Sequence, residues 1–127
     1  MEQEIQAAGA DKAPRITPAD IEANIASEHY FTAADGVIGV NFENTPPDAD
    51  YVDTRVSLPL CLLTFCVLVL RNGFTVTGES ACASPENFNA EIGRKIAREN
   101  AVAKVWPLMG YELRSKLAVI DNLKSGG

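Results

Sequence analysis

The longest apolar run of the chain gives its clearest structural prediction. Residues 61–70 (CLLTFCVLVL) are apolar at every position except Thr64, as in a strand that is covered on both sides. Asn72-Gly73 follows, and this dipeptide between apolar runs favours a two-residue type I′ hairpin turn. Residues 74–79 (FTVTGE) then alternate, with Phe74 and Val76 on one face. The pattern predicts a β-hairpin over 61–80.

The segments before the hairpin predict one helix, one extended region and one loop. Residues 17–20 (TPAD) form a capping box with proline in the first turn, which predicts a short helix that runs to about Ser27. Residues 29–42 carry β-branched side chains after a central glycine and predict a strand or a hairpin. Residues 44–50 (NTPPDAD) predict a loop, because prolines 46 and 47 cannot donate backbone hydrogen bonds.

A long helix is predicted after the hairpin. Ser84-Pro85 marks its start, and Pro107 should interrupt or end it before helical periodicity resumes over 108–123. On a helical wheel the large apolar side chains share one arc with one alanine, which predicts the buried stripe: Phe88, Ile92, Ile96, Ala103 and Trp106. A neighbouring strip of small residues predicts close approach of another backbone: Ala90, Gly93, Ala97 and Ala101.

This order of elements predicts an α+β fold, with a small antiparallel sheet centred on the 61–80 hairpin and packed by C-terminal helices. Residues 1–14 predict a disordered leader, residues 15–124 a single domain and residues 125–127 a tail. A strand that is apolar on both faces in a chain of 127 residues predicts a homo-oligomer, in which another copy covers one face.

Composition and charge exclude several classes of function. A net charge of −6 argues against general nucleic-acid binding, which needs clustered basic residues. The apolar run is shorter than the roughly 20 residues that span a membrane, and the N-terminus lacks the apolar core of a signal peptide, so we expect an intracellular protein. Three cysteines without a CxxC pair and a single histidine predict reduced thiols and no metal site.

Two arginines on the long helix are the candidate binding residues. Arg94 and Arg98 lie one turn apart, and Arg98 has no acid three or four residues away in either direction. The like-charge pair costs about 0.2–0.5 kcal/mol, which leaves two interpretations open. The arginines are solvated or paired with distant acids, or they form a fork for a phosphate or pyrophosphate.

The second interpretation predicts a ligand-binding set of five residues. Ser84 and Asn87 would add backbone N–H groups at the helix N-terminus, and Phe74 would stack a base unless it is part of the core. The predicted set is Arg94, Arg98, Asn87, Phe74 and Ser84.

An enzyme interpretation depends on Cys82, just before that helix, with His29 as its base. A cysteine with one distant histidine and no surrounding nucleophile motif is a weak pattern. No glycine-rich phosphate loop or Walker motif occurs in the sequence. We therefore expect no catalytic residues and no cofactor.

Several stretches carry a family resemblance: NGF (72–74), ESACASPENF (79–88) and EIGRKIARENA (91–101). They resemble the conserved block of a small phage and prophage protein family, named after gene 49 of one coliphage and gene 66 of a Shigella phage. Residues 16–37 resemble the N-terminal part of some members. Together these stretches extend the resemblance over most of the chain.

A second, weaker resemblance is to phage proteins of the Thoeris anti-defence type. These are non-enzymatic oligomers that bind and sequester an immune signal derived from cyclic ADP-ribose. The resemblance implies a counter-defence protein in the host bacterial cytoplasm that binds a small anionic nucleotide-derived ligand without cleaving it. Two alternatives stay open: a phage accessory protein that docks onto a host protein through its apolar strand, and a cysteine-dependent enzyme.

Overall fold

The structure, a computed structural model, describes residues 13–51 and 55–126, so that residues 1–12 of the predicted leader and residue 127 of the predicted tail lie outside it. The described elements follow in this order: α1 (Pro18–Ala23), β1 (Ile25–Thr32), α2 (Ala33–Glu43), α3 (Leu58–Cys61), β2 (Leu63–Leu70), β3 (Thr75–Ala81), a 3₁₀ helix (Pro85–Asn87) and α4 (Ala90–Gly126). The described residues fall into two compact units, one within residues 25–104 and the other made of residues 13–24 with residues 105–126. The single domain over 15–124 stays a prediction.

The unit Ile25–Lys104 is built on a three-stranded antiparallel sheet with β2 in the centre. Cys66 of β2 lies opposite Tyr30 of β1 and opposite Gly78 of β3. Alternate side chains of β2 are buried under α4, whereas those between them are half-exposed on the other side. The predicted α+β fold is confirmed, with the 61–80 hairpin at its centre.

The hairpin turn lies where it was predicted but is of another type. Type I′ needs two residues with positive φ, and among the described residues only Gly73 has one, at 90°. The N–H of Gly73 donates to the carbonyl of Leu70 at 2.9 Å, and the N–H of Leu70 donates to the carbonyl of Phe74 at 2.8 Å. These bonds close a three-residue loop with glycine in the left-handed position.

Upstream of the hairpin, the short helix and the loop at 44–50 are confirmed, but two boundaries were wrong. The capping box of Thr17 starts α1 as predicted, yet the helix ends at Ala23 instead of Ser27. Residues 33–42 are helical, not extended, because Thr32 and Asp35 form a second capping box. The N–H of Thr32 donates to Asp35 Oδ2 at 2.8 Å, and the N–H of Asp35 donates to Thr32 Oγ1 at 3.1 Å. This box ends β1 and starts α2.

The long helix also begins and ends elsewhere than predicted. Ser84 precedes a 3₁₀ helix without capping it through its side chain, and α4 starts only at Ala90. The N-terminus of α4 is capped by Asn89, whose Oδ1 accepts from the N–H of Ile92 at 3.1 Å. Pro107 lies inside this 37-residue helix and does not interrupt it. Proline removes one intrahelical hydrogen bond and crowds the carbonyl four residues before it, yet the helix continues on both sides of Pro107.

The buried side of α4 is the strip of small residues, not the stripe of large ones. Three of the four predicted small residues are buried, Gly93, Ala97 and Ala101, whereas Ala90 at the start of α4 is exposed. The prediction of a large apolar buried stripe was wrong, since 55% of Ile92, 41% of Ile96 and 38% of Trp106 is exposed.

The physical reason is a backbone contact between α4 and β3. A methyl group placed on Gly78 would collide with the Ala97 carbonyl oxygen and the Ala101 nitrogen, and would lie 2.9 Å from Ala101 Cα. Gly93 lies close to β2 in the same way, with Thr64 Oγ1 3.1 Å from the position of its absent Cβ. Only residues with almost no side chain allow a helix so near a sheet.

We expect Gly78→Ala to destabilise the protein by about 3 kcal/mol, because the atoms it meets are helix backbone and cannot rotate away. Gly39→Ala is the matched control, since Gly39 is helical and has open space around its Cβ position. It should increase the free energy of unfolding by about 0.5–1 kcal/mol. Urea unfolding measures both variants, and equal stability of Gly78→Ala and the wild type would contradict this packing.

Candidate functional site

The packing of α4 on the sheet gives Arg98 a distant acidic partner. Arg98 Nε donates to Glu28 Oε2 of β1 at 2.8 Å, and the two residues are 70 positions apart in the sequence. The two side chains are 29% and 39% exposed. The ion pair explains why the helix sequence itself offers Arg98 no acid. It corresponds to the interpretation in which the arginine pairs with a distant acid.

The other oxygen of this carboxylate is bound by a tyrosine. The Tyr30 hydroxyl donates to Glu28 Oε1 at 3.2 Å, and Tyr30 lies opposite Cys66 in the sheet. Burial, followed by the nearby Cys66 and Glu28 charges, raises the pKa of Tyr30 to about 12. Burial also raises the pKa of the Cys66 thiol. At neutral pH Tyr30 is therefore a protonated donor that holds the carboxylate in place.

Arg94, one turn before Arg98, lines a cavity of about 100 Å³. In the part of the chain that the structure describes, Arg94 takes part in no ion pair. The acid in the cavity wall is Asp35, whose carboxylate already accepts the N–H of Thr32 in the second capping box. The residues that line this cavity, called the Arg94 cavity below, are Tyr30, Phe31, Thr32, Asp35, Thr64, Phe88, Ala90 and Arg94.

Three aromatic residues that the sequence interpretation did not assign to the site line the Arg94 cavity: Tyr30, Phe31 and Phe88. Phe88 was assigned to the buried stripe, and the other two belong to a strand whose limits were placed wrongly. The one local signal for their position was the capping box at Thr32, which locates the end of β1. No sequence motif joins β1 to α4.

The other predicted site residues lie elsewhere. Phe74 is 56% exposed at the hairpin turn, beside Leu70, whereas the Arg94 cavity reaches β2 at Thr64. Six residues of strand separate these positions, which is roughly 20 Å. Asn87 lines a separate groove of about 220 Å³ that shares Phe88 with the Arg94 cavity. Ser84 donates to Glu86 Oε2 at 3.3 Å and lines neither of these two cavities.

The structure does not bring Cys82 and His29 together. His29 lies opposite Val67, with its Nε2 3.0 Å from Ser27 Oγ. Cys82 follows β3 beyond the pairing of Ala81 with Leu63, four strand residues or roughly 13 Å away along the sheet. Its thiol donates to the carbonyl of Ser84 at 3.1 Å. Within residues 13–51 and 55–126, no three His, Cys, Asp or Glu side chains cluster as metal ligands would.

The side of the sheet turned away from α4 carries a second unusual surface. The rings of Phe31 and Phe65 stack on it with centroids 5.4 Å apart. Further apolar side chains of β2 continue this surface and are only half-buried. We call it the outer face, and it consists of Phe31, Leu63, Phe65, Val67 and Val69.

A comparison with family models resolves the ancestry of the chain. The model of the phage protein (N4 Gp49/phage Sf6 gene 66) family matches residues 16–117. The chain belongs to this phage protein family. No curated protein and no solved structure matches it. The resemblance to Thoeris anti-defence proteins has no support in these comparisons.

This phage protein shows no helix, over the residues that the structure describes, with the length and apolar character to cross a membrane.

The raised pKa of Tyr30 predicts a loss of stability at high pH. The pKa of Tyr30 is about 12 in the folded protein, against 10.0 for an ordinary tyrosine. The protonated hydroxyl therefore contributes its full stabilisation of the fold below about pH 10, and this contribution disappears as the pH rises to 12. The free energy of unfolding should therefore fall more steeply over this range in the wild type than in Tyr30→Phe. Denaturant unfolding at a series of pH values tests this, and parallel curves for the two proteins would contradict it.

Proposed function

We propose that this phage protein binds a small anionic nucleotide-derived ligand and sequesters it unchanged, with a phosphate of the ligand at Arg94. The observation that supports the proposal is a guanidinium with no ion pair in the described chain that lines a cavity with aromatic walls. A guanidinium donates two parallel hydrogen bonds to a phosphate, which gives both affinity and orientation.

The size of the Arg94 cavity limits what enters it. Ligand pockets for whole small molecules measure about 300–1,000 Å³, whereas this cavity measures about 100 Å³. A phosphate group fits such a volume, but a complete nucleotide does not. The remainder of the ligand would therefore lie outside the cavity.

We further propose that the ligand is an immune signal of the cyclic ADP-ribose type, and that its capture in the host bacterial cytoplasm counteracts host defence. Such a signal carries two phosphates and an adenine, which suit arginine forks and an aromatic surface. Membership of a phage protein family supports one part of this proposal, namely that the protein is encoded by a phage.

The outer face supports a proposal of self-association. Large apolar side chains on the central strand stay half-exposed in one chain, although such a surface is normally covered. A second copy presents the same surface, as a two-fold symmetric dimer requires. We propose a homo-oligomer that buries this face.

The same surface favours a second candidate function, in which the protein docks onto a host protein. This candidate needs an outer face that stays open in the free protein. The mass of the free protein in solution therefore separates the two candidates.

Arg94→Ala should weaken the binding of cyclic ADP-ribose or one of its isomers by roughly ten- to a hundredfold, since it removes charge-assisted bonds worth about 1.5–3 kcal/mol. Arg94→Lys should also bind weakly, because an ammonium cannot replace the planar fork. Calorimetric titration with a panel of these isomers measures the effect. Mass spectrometry of ligand recovered after heating should show it unchanged.

The matched control is Arg114→Ala, which removes the same charge from an exposed ion pair with Asp121. Its affinity for the ligand should equal that of the wild type. Arg94→Ala should unfold like the wild type, because within the described residues it breaks no ion pair. If Arg94→Ala binds the ligand as tightly as the wild type does, the proposed site is wrong.

The proposed homo-oligomer predicts a solution mass of at least twice the 13.6 kDa of one chain at micromolar concentration. Val67→Lys should reduce the mass to that of a monomer, because it places a charge at the centre of the outer face. Val119→Lys, on the exposed surface of α4, should leave the mass unchanged. Light scattering measures all three proteins, and a monomeric wild type would favour docking onto a host protein.

A further inference from the structure

Glu28 connects the Arg94 cavity to the second arginine. Tyr30 lines the cavity and donates to Glu28 Oε1, while Glu28 Oε2 accepts from Arg98 Nε. Arg98 lies one helical turn beyond Arg94, so the Cβ atoms of the two arginines are roughly 6 Å apart on the same side of the helix. A carboxylate of the protein itself therefore occupies Arg98 beside the proposed ligand site.

We propose that Glu28 regulates the site by competing with the ligand for Arg98: a bound phosphate displaces the Glu28 carboxylate from Arg98. This inference rests on the proposed function. Carboxylate and phosphate oxygens are acceptors of the same kind for a guanidinium, and a phosphate carries the greater charge. Arg94 makes the first contact with the anion, and Arg98 joins when Glu28 leaves.

The exposure of the ion pair makes such an exchange feasible. Both side chains are about one-third exposed, and ion pairs with this access to water contribute little to stability. A fully buried pair could not separate without leaving a charge unsolvated, whereas this one can be replaced at low cost. The pair therefore resembles a reversible contact more than a structural one.

Tyr30 gives the displaced carboxylate a partner. Its hydroxyl is protonated at neutral pH, as any tyrosine's is, so it continues to donate to Glu28 after Arg98 has left. The negative charge of Glu28 then remains hydrogen-bonded next to the ligand. Each anion that binds must overcome this charge, which limits its affinity.

Glu28→Gln should increase the affinity for inorganic pyrophosphate by about two- to fivefold, the range expected for a partly exposed ion pair. The gain should vanish when Arg98→Ala is combined with Glu28→Gln, because the arginine for which Glu28 and the anion compete is then absent. Calorimetric titration at constant ionic strength measures each variant. A gain in affinity cannot result from partial unfolding, so a destabilised variant cannot imitate the expected result.

Glu91→Gln is the matched control, since Glu91 is an exposed acid on the same helix. It removes one charge and leaves the contact between Glu28 and Arg98 in place, so its affinity for pyrophosphate should match that of the wild type. Equal gains in Glu28→Gln and Glu91→Gln would show a general effect of net charge and overturn the competition. Unchanged or weaker binding of pyrophosphate by Glu28→Gln would also overturn the competition. If the wild type nevertheless binds more tightly than Arg94→Ala does, the proposed function would remain intact. Absence of pyrophosphate binding in every protein, with no cyclic ADP-ribose binding by the wild type, would overturn both.

Discussion

The contact between the backbone of β3 at Gly78 and the backbone of α4 at Ala97 and Ala101 sets how closely, and with which face, α4 packs on the sheet. A helix that lies this close has no freedom to rotate about its axis, because any larger residue turned toward the strand would collide with it. Once this orientation is set, Arg98 points to one edge strand and Asn100 to the other. The side-chain amide of Asn100 donates to the carbonyl of Glu79 in β3 at 2.8 Å. The helix is thus tied to β1 by an ion pair and to β3 by a hydrogen bond.

Local sequence signals predicted the elements whose causes are local. The hairpin could be found because an apolar run and Asn72-Gly73 adjoin, and α1 because Thr17 and Asp20 cap each other. The signal for α2 was equally local, in Thr32 and Asp35, but the β-branched residues that follow concealed it. The burial of α4 could not be derived from hydrophobicity. It depends on a glycine in another element, and periodicity within one helix contains no information about its partner.

The residues of the candidate site also divide into those that a local sequence signal could identify and those that it could not. Arg94 and Arg98 could be identified from an imbalance of charge within one helix, which is a local property. Glu28 and Tyr30 could not, because they come near the arginines only after β1 pairs with β2 and α4 packs on the sheet. Phe74 was assigned through its residue type, yet the length of β2 alone places it far from Arg94. For a site assembled from three elements, the sequence identified the charged residues but not their surroundings.

In α4 the small residues are buried and the large apolar ones are exposed, and this has a consequence for how the sequences of this family can diverge. In most helices packed on a sheet, the large apolar side chains form the buried stripe and are constrained by the core. Here Ile92 and Ile96 face outward, while Ala97 and Ala101 touch backbone. Many different residues should therefore be tolerated at the two isoleucine positions and few at the two alanine positions. A substitution profile scored on hydrophobicity alone would rank the tolerance of these positions in reverse.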